Sequence, residues 1–417
     1  MTWQRFSLRK QDCTPFSIKN GADPAPPWRQ FMGLEDFKKH HKSLAQARWQ
    51  SLQKLRNVRA RQKADSFFLP DNPSCQKLVL AVNAALQLRR PLLISGLPGS
   101  GKTSLAFVIA DWLGLGPVLE WPVSPGAQLA DALATYNPLA RLQDLEQDAM
   151  AQRAGSESRG DNRTASDRPV TDYIRLGPVG TAFLPSALPR VLLIDEIDKG
   201  DLNLANDLLH LFEEGKYAIP ELQRAERHRK ARRRSDHAED EPHDSRISEV
   251  ETWDEAGDGT PLTAPIRGGH VQCHQFPLVV MTSNGDREFP PAFNRRCLRV
   301  RMPDFSKDQT TLQEIVNVQL RSDPRTERDV ELALKAFQKA AADNRGELAT
   351  DQLLNLAYLM DHQLDEAVRQ RLNAVLLQGL NSEPGSDESD DDPFGDDLFD
   401  VEDDRDPEAS DAGDQDH

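Results

Sequence analysis

Three stretches of this chain carry unbroken apolar runs of strand length, and each ends in residues with chemistry. Pro91–Ile94 runs into a glycine-rich turn, Val191–Ile194 into two acids, and Phe276–Met281 into Thr282, Ser283 and Asn284. Such runs read as buried strands. Apolar residues at helical spacing over Ser74–Leu88 lead into the first strand, and Thr103–Ala110 reads as the helix behind the glycine turn. Val118–Val123 reads as a short further strand. Towards the C-terminus the helical period returns over 312–320, 329–342 and 351–377. There Leu353, Leu356, Ala357 and Met360 form an i, i+3, i+4, i+7 stripe of ordinary core.

Between these stretches the pattern weakens, which divides the chain. Residues 1–65 form an N-terminal extension. Lys38–Ala64 within it has nine Lys or Arg and no acid, with a partial apolar stripe at Leu44, Trp49, Leu52, Leu55 and Val58. That predicts a helix, either docked on the next domain or presented to nucleic acid or an acidic partner. Residues 66–303 form the globular core and 304–380 a helical lid. Polar residues 147–168 read as a mobile loop, and polar residues 223–265, basic then acidic, read by default as disordered.

Charge changes the picture at one end only. The formal net charge is −16, and 381–417 holds 17 acids against Arg405 alone, so the rest of the chain sums to zero. This segment reads as an acidic disordered tail, broken by Phe394, Leu398, Phe399 and Val401. No apolar run approaches a membrane span or a signal peptide. Cys13, Cys75, Cys273 and Cys297 lack metal-site or disulfide spacing, which suits a reducing cytoplasm.

The glycine turn is Gly96-Leu97-Pro98-Gly99-Ser100-Gly101-Lys102-Thr103, with Ser104 next. It fits G-x-x-x-x-G-K-[ST] between a strand and a helix, the context a phosphate-binding loop needs. Glycines let successive N–H groups point at phosphate oxygens, and the helix N-terminus adds partial positive charge. Lys102 can reach the β- and γ-phosphates, and the Thr103 hydroxyl can bind Mg²⁺. The strand ending in Asp195-Glu196 is the Walker B pattern: Asp195 for Mg²⁺, Glu196 as base or orienter of the attacking water. Asn284 could orient that water. Arg295 and Arg296 could be surface charges, or could reach a neighbouring subunit's γ-phosphate.

With these elements in this order, the chain resembles the MoxR-type branch of the AAA+ ATPases over roughly 70–380. The resemblance rests on GLPGSGKT from Gly96, LGPVGTAFLP from Leu176, LLIDEIDKGDLNLANDLLHLFEEG from Leu192 and VVMTSNGDREFPPAFNRRC from Val279. It implies a P-loop αβα core with a parallel central sheet and a small all-α lid. It also implies ATP, Mg²⁺, a ring that is usually a hexamer, and remodelling of a protein partner, often one with a von Willebrand factor A domain. In that frame Asn284 takes the sensor 1 place and Arg296 the finger place, with Arg295 beside it. Tyr217–Pro220 and Gly269–Cys273 match the two arms of a hairpin that 223–265 interrupts. The sensor 2 place falls on Leu348 or Ala349, with Arg345 nearby. The alternatives are a nucleic-acid-directed P-loop ATPase, drawn from the basic stretches, and a nucleotide-dependent regulatory switch.

Overall fold

The computed structural model describes residues 4–18, 22–55, 58–153, 169–235, 247–305, 308–320, 327–343, 348–360 and 364–377. The N-terminal extension supplies α1 (Leu34–His40), α2 (Lys42–Lys54) and α3 (Val58–Asp65). They are docked. Trp49 and Leu52 are each 1% exposed, and both belong to the same core cluster as Phe6 and the helix behind the glycine turn. Asn83 fastens the start of the chain: its Oδ1 accepts the amides of Arg5 and Phe6, and its Nδ2 donates to Phe6 O at 2.8 Å.

The core begins with α4 (Pro73–Leu88), whose N-cap Asn72 accepts the Cys75 amide at 2.8 Å. Then come β1 (Leu92–Ser95), α5 (Lys102–Leu113), β2 (Leu119–Pro122), α6 (Leu129–Leu133), β3 (Ala134–Tyr136) and α7 (Pro138–Arg153). Thus 147–153, expected as loop, ends a helix, while 154–168 lies outside the described residues. Next are β4 (Ile174–Leu176), α8 (Pro178–Ala182), β5 (Val191–Asp195), α9 (Leu202–Glu214) and β6 (Lys216–Ala218).

Where the polarity of 223–265 predicts disorder, the structure has ordered elements: α10 (Pro220–Ser235), β7 (Ile247–Glu255) and β8 (Pro261–Arg267). β9 (His270–Gln272), β10 (Leu278–Ser283), α11 (Pro291–Arg296) and β11 (Leu298–Arg301) complete the core. The reason for the difference is visible in β7. Its inward side chains are Val250, Thr252 and Asp254, two of them polar, and both polar ones are buried and bonded. The alternation that marks a strand is present in burial and hidden in polarity. One signal was there to read: Asp258-Gly259 supplies the tight turn, with Gly259 at φ +84°.

Two sheets result. The first has order β11-β1-β10-β5-β2, with every pairing parallel. Its strands alternate between two cores: Leu93, Leu192, Ile194, Val279 and Met281 face one, and Leu92, Ile94, Val191, Leu193 and Val280 the other. Burial on both faces is why these strands read as unbroken apolar runs. The second sheet has order β3-β4-β7-β8-β9-β6. Its β6 and β9 are the two expected hairpin arms, paired antiparallel with Tyr217 opposite Val271. The hairpin β7–β8 bridges them to β4.

The lid contains α12 (Gln309–Gln319), α13 (Glu327–Asp343), α14 (Thr350–Leu359) and α15 (Glu366–Leu376), around Leu312, Val316, Phe337, Leu353 and Leu356. The helix expected over 351–377 is therefore two. Residues 381–417 lie outside the described part. Among the described residues, no helix is long and apolar enough to cross a membrane.

Candidate functional site

The C-terminal ends of β1, β5 and β10 meet at one edge of the parallel sheet, and there the three sequence motifs converge. The loop between β1 and α5 needs its glycines: Gly99 and Gly101 sit at φ +68° and +87°, a region that side chains avoid. A Cβ on Gly99 would also lie 2.3 Å from Asp351 Oδ1, at the start of α14. The loop thus curls with the lid close above it.

Lys102 opens α5 and is 7% exposed. Its ammonium donates to two carbonyls of its own loop, Gly96 O at 2.8 Å and Leu97 O at 2.7 Å. Burial pushes its pKa below the ordinary lysine value, and Asp195, Asp198 and Glu196 pull it partly back. Thr103 Oγ1 donates to Asp195 at 2.9 Å. The residues expected to share a Mg²⁺ are therefore adjacent, and their oxygens are the hard donors that Mg²⁺ takes. Ser100 Oγ is buried and has no partner among the described residues, a polar atom left over in a loop built for phosphate oxygens.

Thr282 is a site residue that sequence reading missed. Its hydroxyl donates to Asp195 Oδ1 at 2.5 Å and accepts the Glu196 amide at 2.8 Å. It thereby orients one acid and fixes the backbone of the other. Glu196 needs fixing, since it sits at φ 57°, left-handed backbone that non-glycine residues rarely adopt. The Glu196 side chain is held by Lys199, Nζ to Oε2 2.6 Å. Its position at a strand end beside Asn284 was the only sequence signal for Thr282.

These groups surround a cavity of ≈ 410 Å³ lined by the glycine loop, Thr103, Ser104, Asp195, Glu196, Thr282 and Asn284. Phe67 and Phe68 close one side, and Thr350, Asp351 and Leu354 of the lid another. Arg295 and Arg296 do not line it. Arg296 Nε donates to Glu213 at 2.7 Å, and Arg295 Nε donates to Pro291 O of its own helix. At the sensor 2 place, Leu348 and Ala349 are buried, Leu348 in the lid core. Arg345 lies outside the described residues.

A parallel sheet in this order, with a glycine loop and an acidic strand end closing on one cavity, defines a P-loop nucleotide-binding domain. Residues 91–297 match the AAA domain model of the dynein-related subfamily, so the chain carries an AAA+ domain of that type. No curated protein sequence matches the chain. Among solved structures it is similar to C. elegans PCH-2, at 14% identity and TM-score 0.35 over 77% of this chain and 71% of that one. It is also similar to NtrX from Brucella abortus in complex with ATP, at 15% identity and TM-score 0.34 over 79% of this chain and 60% of that one. A point variant of Thermotoga maritima RuvB gives 16% identity and TM-score 0.31 over 74% of this chain and 76% of that one. Likenesses this distant carry no argument about activity or partner.

Proposed function

We propose that this chain is a Mg²⁺-dependent ATP hydrolase of the MoxR-like AAA+ type, working as a ring, hexameric by the resemblance, to remodel or activate a protein partner. The observation that carries the ATPase reading is Thr103 bonded to Asp195, with Lys102 and Glu196 on the same cavity. Loop amides and Lys102 bind the β- and γ-phosphates. Thr103 and Asp195 would hold Mg²⁺, which when bound offsets phosphate charge. Thr282 orients Asp195. Glu196 takes the proton of the attacking water, and Asn284 positions that water.

The ring and the partner rest on the resemblance over 70–380. A partner with a von Willebrand factor A domain is the class it implies. Two arginines clear of their own cavity suit a site shared between subunits. The four free thiols suit a reducing cytoplasm.

One contact favours a second reading as a regulated switch. With Glu196 bonded to Lys199, the base is occupied in this conformation. Turnover would then stay low until a partner or neighbouring subunit opened the pair.

Phosphate release from ATP, compared between wild type and Lys102→Ala with calorimetric ATP binding alongside, tests the hydrolase reading. Loss of tight binding and of turnover is the expected outcome. ATP affinity equal to wild type in Lys102→Ala would overturn it.

A further inference from the structure

The cavity around the glycine loop has a further set of walls that the phosphate chemistry does not use. The sheet's edge supplies its acids and hydroxyls, and Asp351 stands against Gly99. The other lining comes from three parts of the chain: Ser66, Phe67 and Phe68 after α3, Phe305 after β11, and Ile315 and Gln319 on α12 of the lid. Phe67 flanks the loop itself, since a Cβ on Gly101 would lie 3.3 Å from its ring. Phe305 packs against the core cluster behind the glycine loop and against that of the lid. Phenyl rings and an isoleucine make walls for a flat, weakly polar group. With the phosphates held at the loop, the flat part left to these walls is the base.

Two groups on these walls can read a base edge. Gln319, the last residue of α12, donates from Nε2 to Ser66 O at 3.0 Å. A carbonyl only accepts, so this bond fixes which way round the amide stands. The Ser66 hydroxyl is turned back onto Gln62 O at 2.8 Å, so Ser66 offers its carbonyl alone. Gln319 Oε1 accepts no hydrogen bond among the described residues, and the second N–H of Nε2 remains to donate. The Gln319 side chain is exposed and lines the cavity.

Adenine offers an amino donor beside a ring-nitrogen acceptor, the complement of an amide's acceptor and donor. Guanine and hypoxanthine place a carbonyl where adenine has the amino group. That would set oxygen against Oε1, and turning the amide over would set Oε1 against Ser66 O instead.

We propose that Gln319 selects the base: its amide reads the amino edge of adenine, with the phenyl walls against the ring. This rests on the ATPase reading and adds that the lid, through one side chain, sets which nucleotide is used. The glycine loop and the sheet's edge meet phosphates and water, and carry none of that choice.

Calorimetric binding of ATP, inosine triphosphate and inorganic tripolyphosphate to the full chain, with Mg²⁺, tests the assignment. Inosine triphosphate differs from ATP at the base edge alone. Wild type should bind ATP at least ~10-fold more tightly than inosine triphosphate, the effect of one mismatched hydrogen-bonding pair. Gln319→Leu should lose that preference. Tripolyphosphate has no base and should bind both proteins alike. Equal wild-type affinities for ATP and inosine triphosphate, or a preference that survives in Gln319→Leu, would overturn the assignment and leave the ATPase reading standing. A loss of tripolyphosphate binding in Gln319→Leu as large as that of ATP would show an effect on the fold and overturn it too. The wild-type comparison needs no variant, and Gln319→Ala replaces Gln319→Leu should the latter fail to fold. Binding of none of the three by wild type would remove the ATPase reading, and this inference with it.

Discussion

Asp198 accepts the backbone amide of Asn284 at 2.8 Å, and so joins the turn after β5 to the turn after β10. The same oxygen, Oδ2, also receives the Ser283 hydroxyl at 3.0 Å and the amides of Gly285 and Asp286 at 3.1 and 3.3 Å. Asp198 is 3% exposed, so these charge-assisted bonds are shielded from water. It touches no substrate in the scheme above. It sets where Asn284 stands relative to Glu196.

The first prediction follows from that placement. Asp198→Ala should lower kcat by about 10²-fold, the cost of a displacement on the order of 1 Å at a reacting centre. ATP affinity should change little, because the glycine loop is not touched. Asp198→Asn keeps an acceptor oxygen and should recover part of the loss. Steady-state kcat and KM with calorimetric binding check this. Equal losses in binding and kcat would show a general structural role instead.

The second concerns the Glu196–Lys199 pair. Glu196→Gln should bind ATP and turn it over about 10²–10⁴-fold more slowly, since an amide cannot accept the proton. Lys199→Ala should raise basal turnover by freeing the carboxylate. Both side chains are more than a third exposed, so the pair adds little to stability and melting should barely move. A Lys199→Ala variant no faster than wild type would remove the switch reading.

The third uses the ion pair that anchors the hairpin. Arg190 and Asp254 side chains are 0% and 3% exposed. Arg190→Met leaves a buried carboxylate unpaired and should cost about 3–5 kcal/mol, while Arg190→Met/Asp254→Leu should recover much of it. Burial alone would raise the Asp254 pKa, but the Arg190 charge and hydrogen bonds hold it below the ordinary value. A depressed carboxyl stabilises the fold above its unfolded pKa of about 3.9, and that contribution is lost as pH falls through the folded value. Wild type should therefore lose more stability than the double variant as pH drops below about 4. Urea unfolding at two pH values measures it.

The phosphate loop and Asp195–Glu196 were legible in the sequence because β1 and β5 are covered on both faces. Burial on both faces leaves no polar positions to blur the run before the chemical residues. The hairpin β7–β8 was not legible, because Thr252 and Asp254 occupy inward positions where strands show apolar residues. Their partners, Leu262 O and Arg190, are 10 and 64 residues away. Asp198 and Thr282 were missed for the same reason. Each works through a bond across the sheet's edge, to β10 and to β5, and spacing along one strand carries no trace of it.

The last prediction separates a shared site from a solitary P-loop enzyme. Arg296, its side chain 42% exposed, stands outside its own nucleotide cavity and is held by Glu213. As a finger it would complete a neighbour's site, and fingers of this kind contribute on the order of 10³–10⁵ in rate. Arg296→Ala and Lys102→Ala should each be inactive alone. Mixed, they should regain part of the activity, because some interfaces then join an intact loop to an intact arginine. A residue acting within its own subunit makes no such demand. Arg295→Ala, run in parallel, shows which arginine holds the role, since among the described residues the Arg295 side chain bonds within its own helix, to Pro291 O. Subunit exchange is verified by labelled chains. If neither arginine variant recovers activity while exchange proceeds, the site is not shared, and the ring ceases to be part of the chemistry.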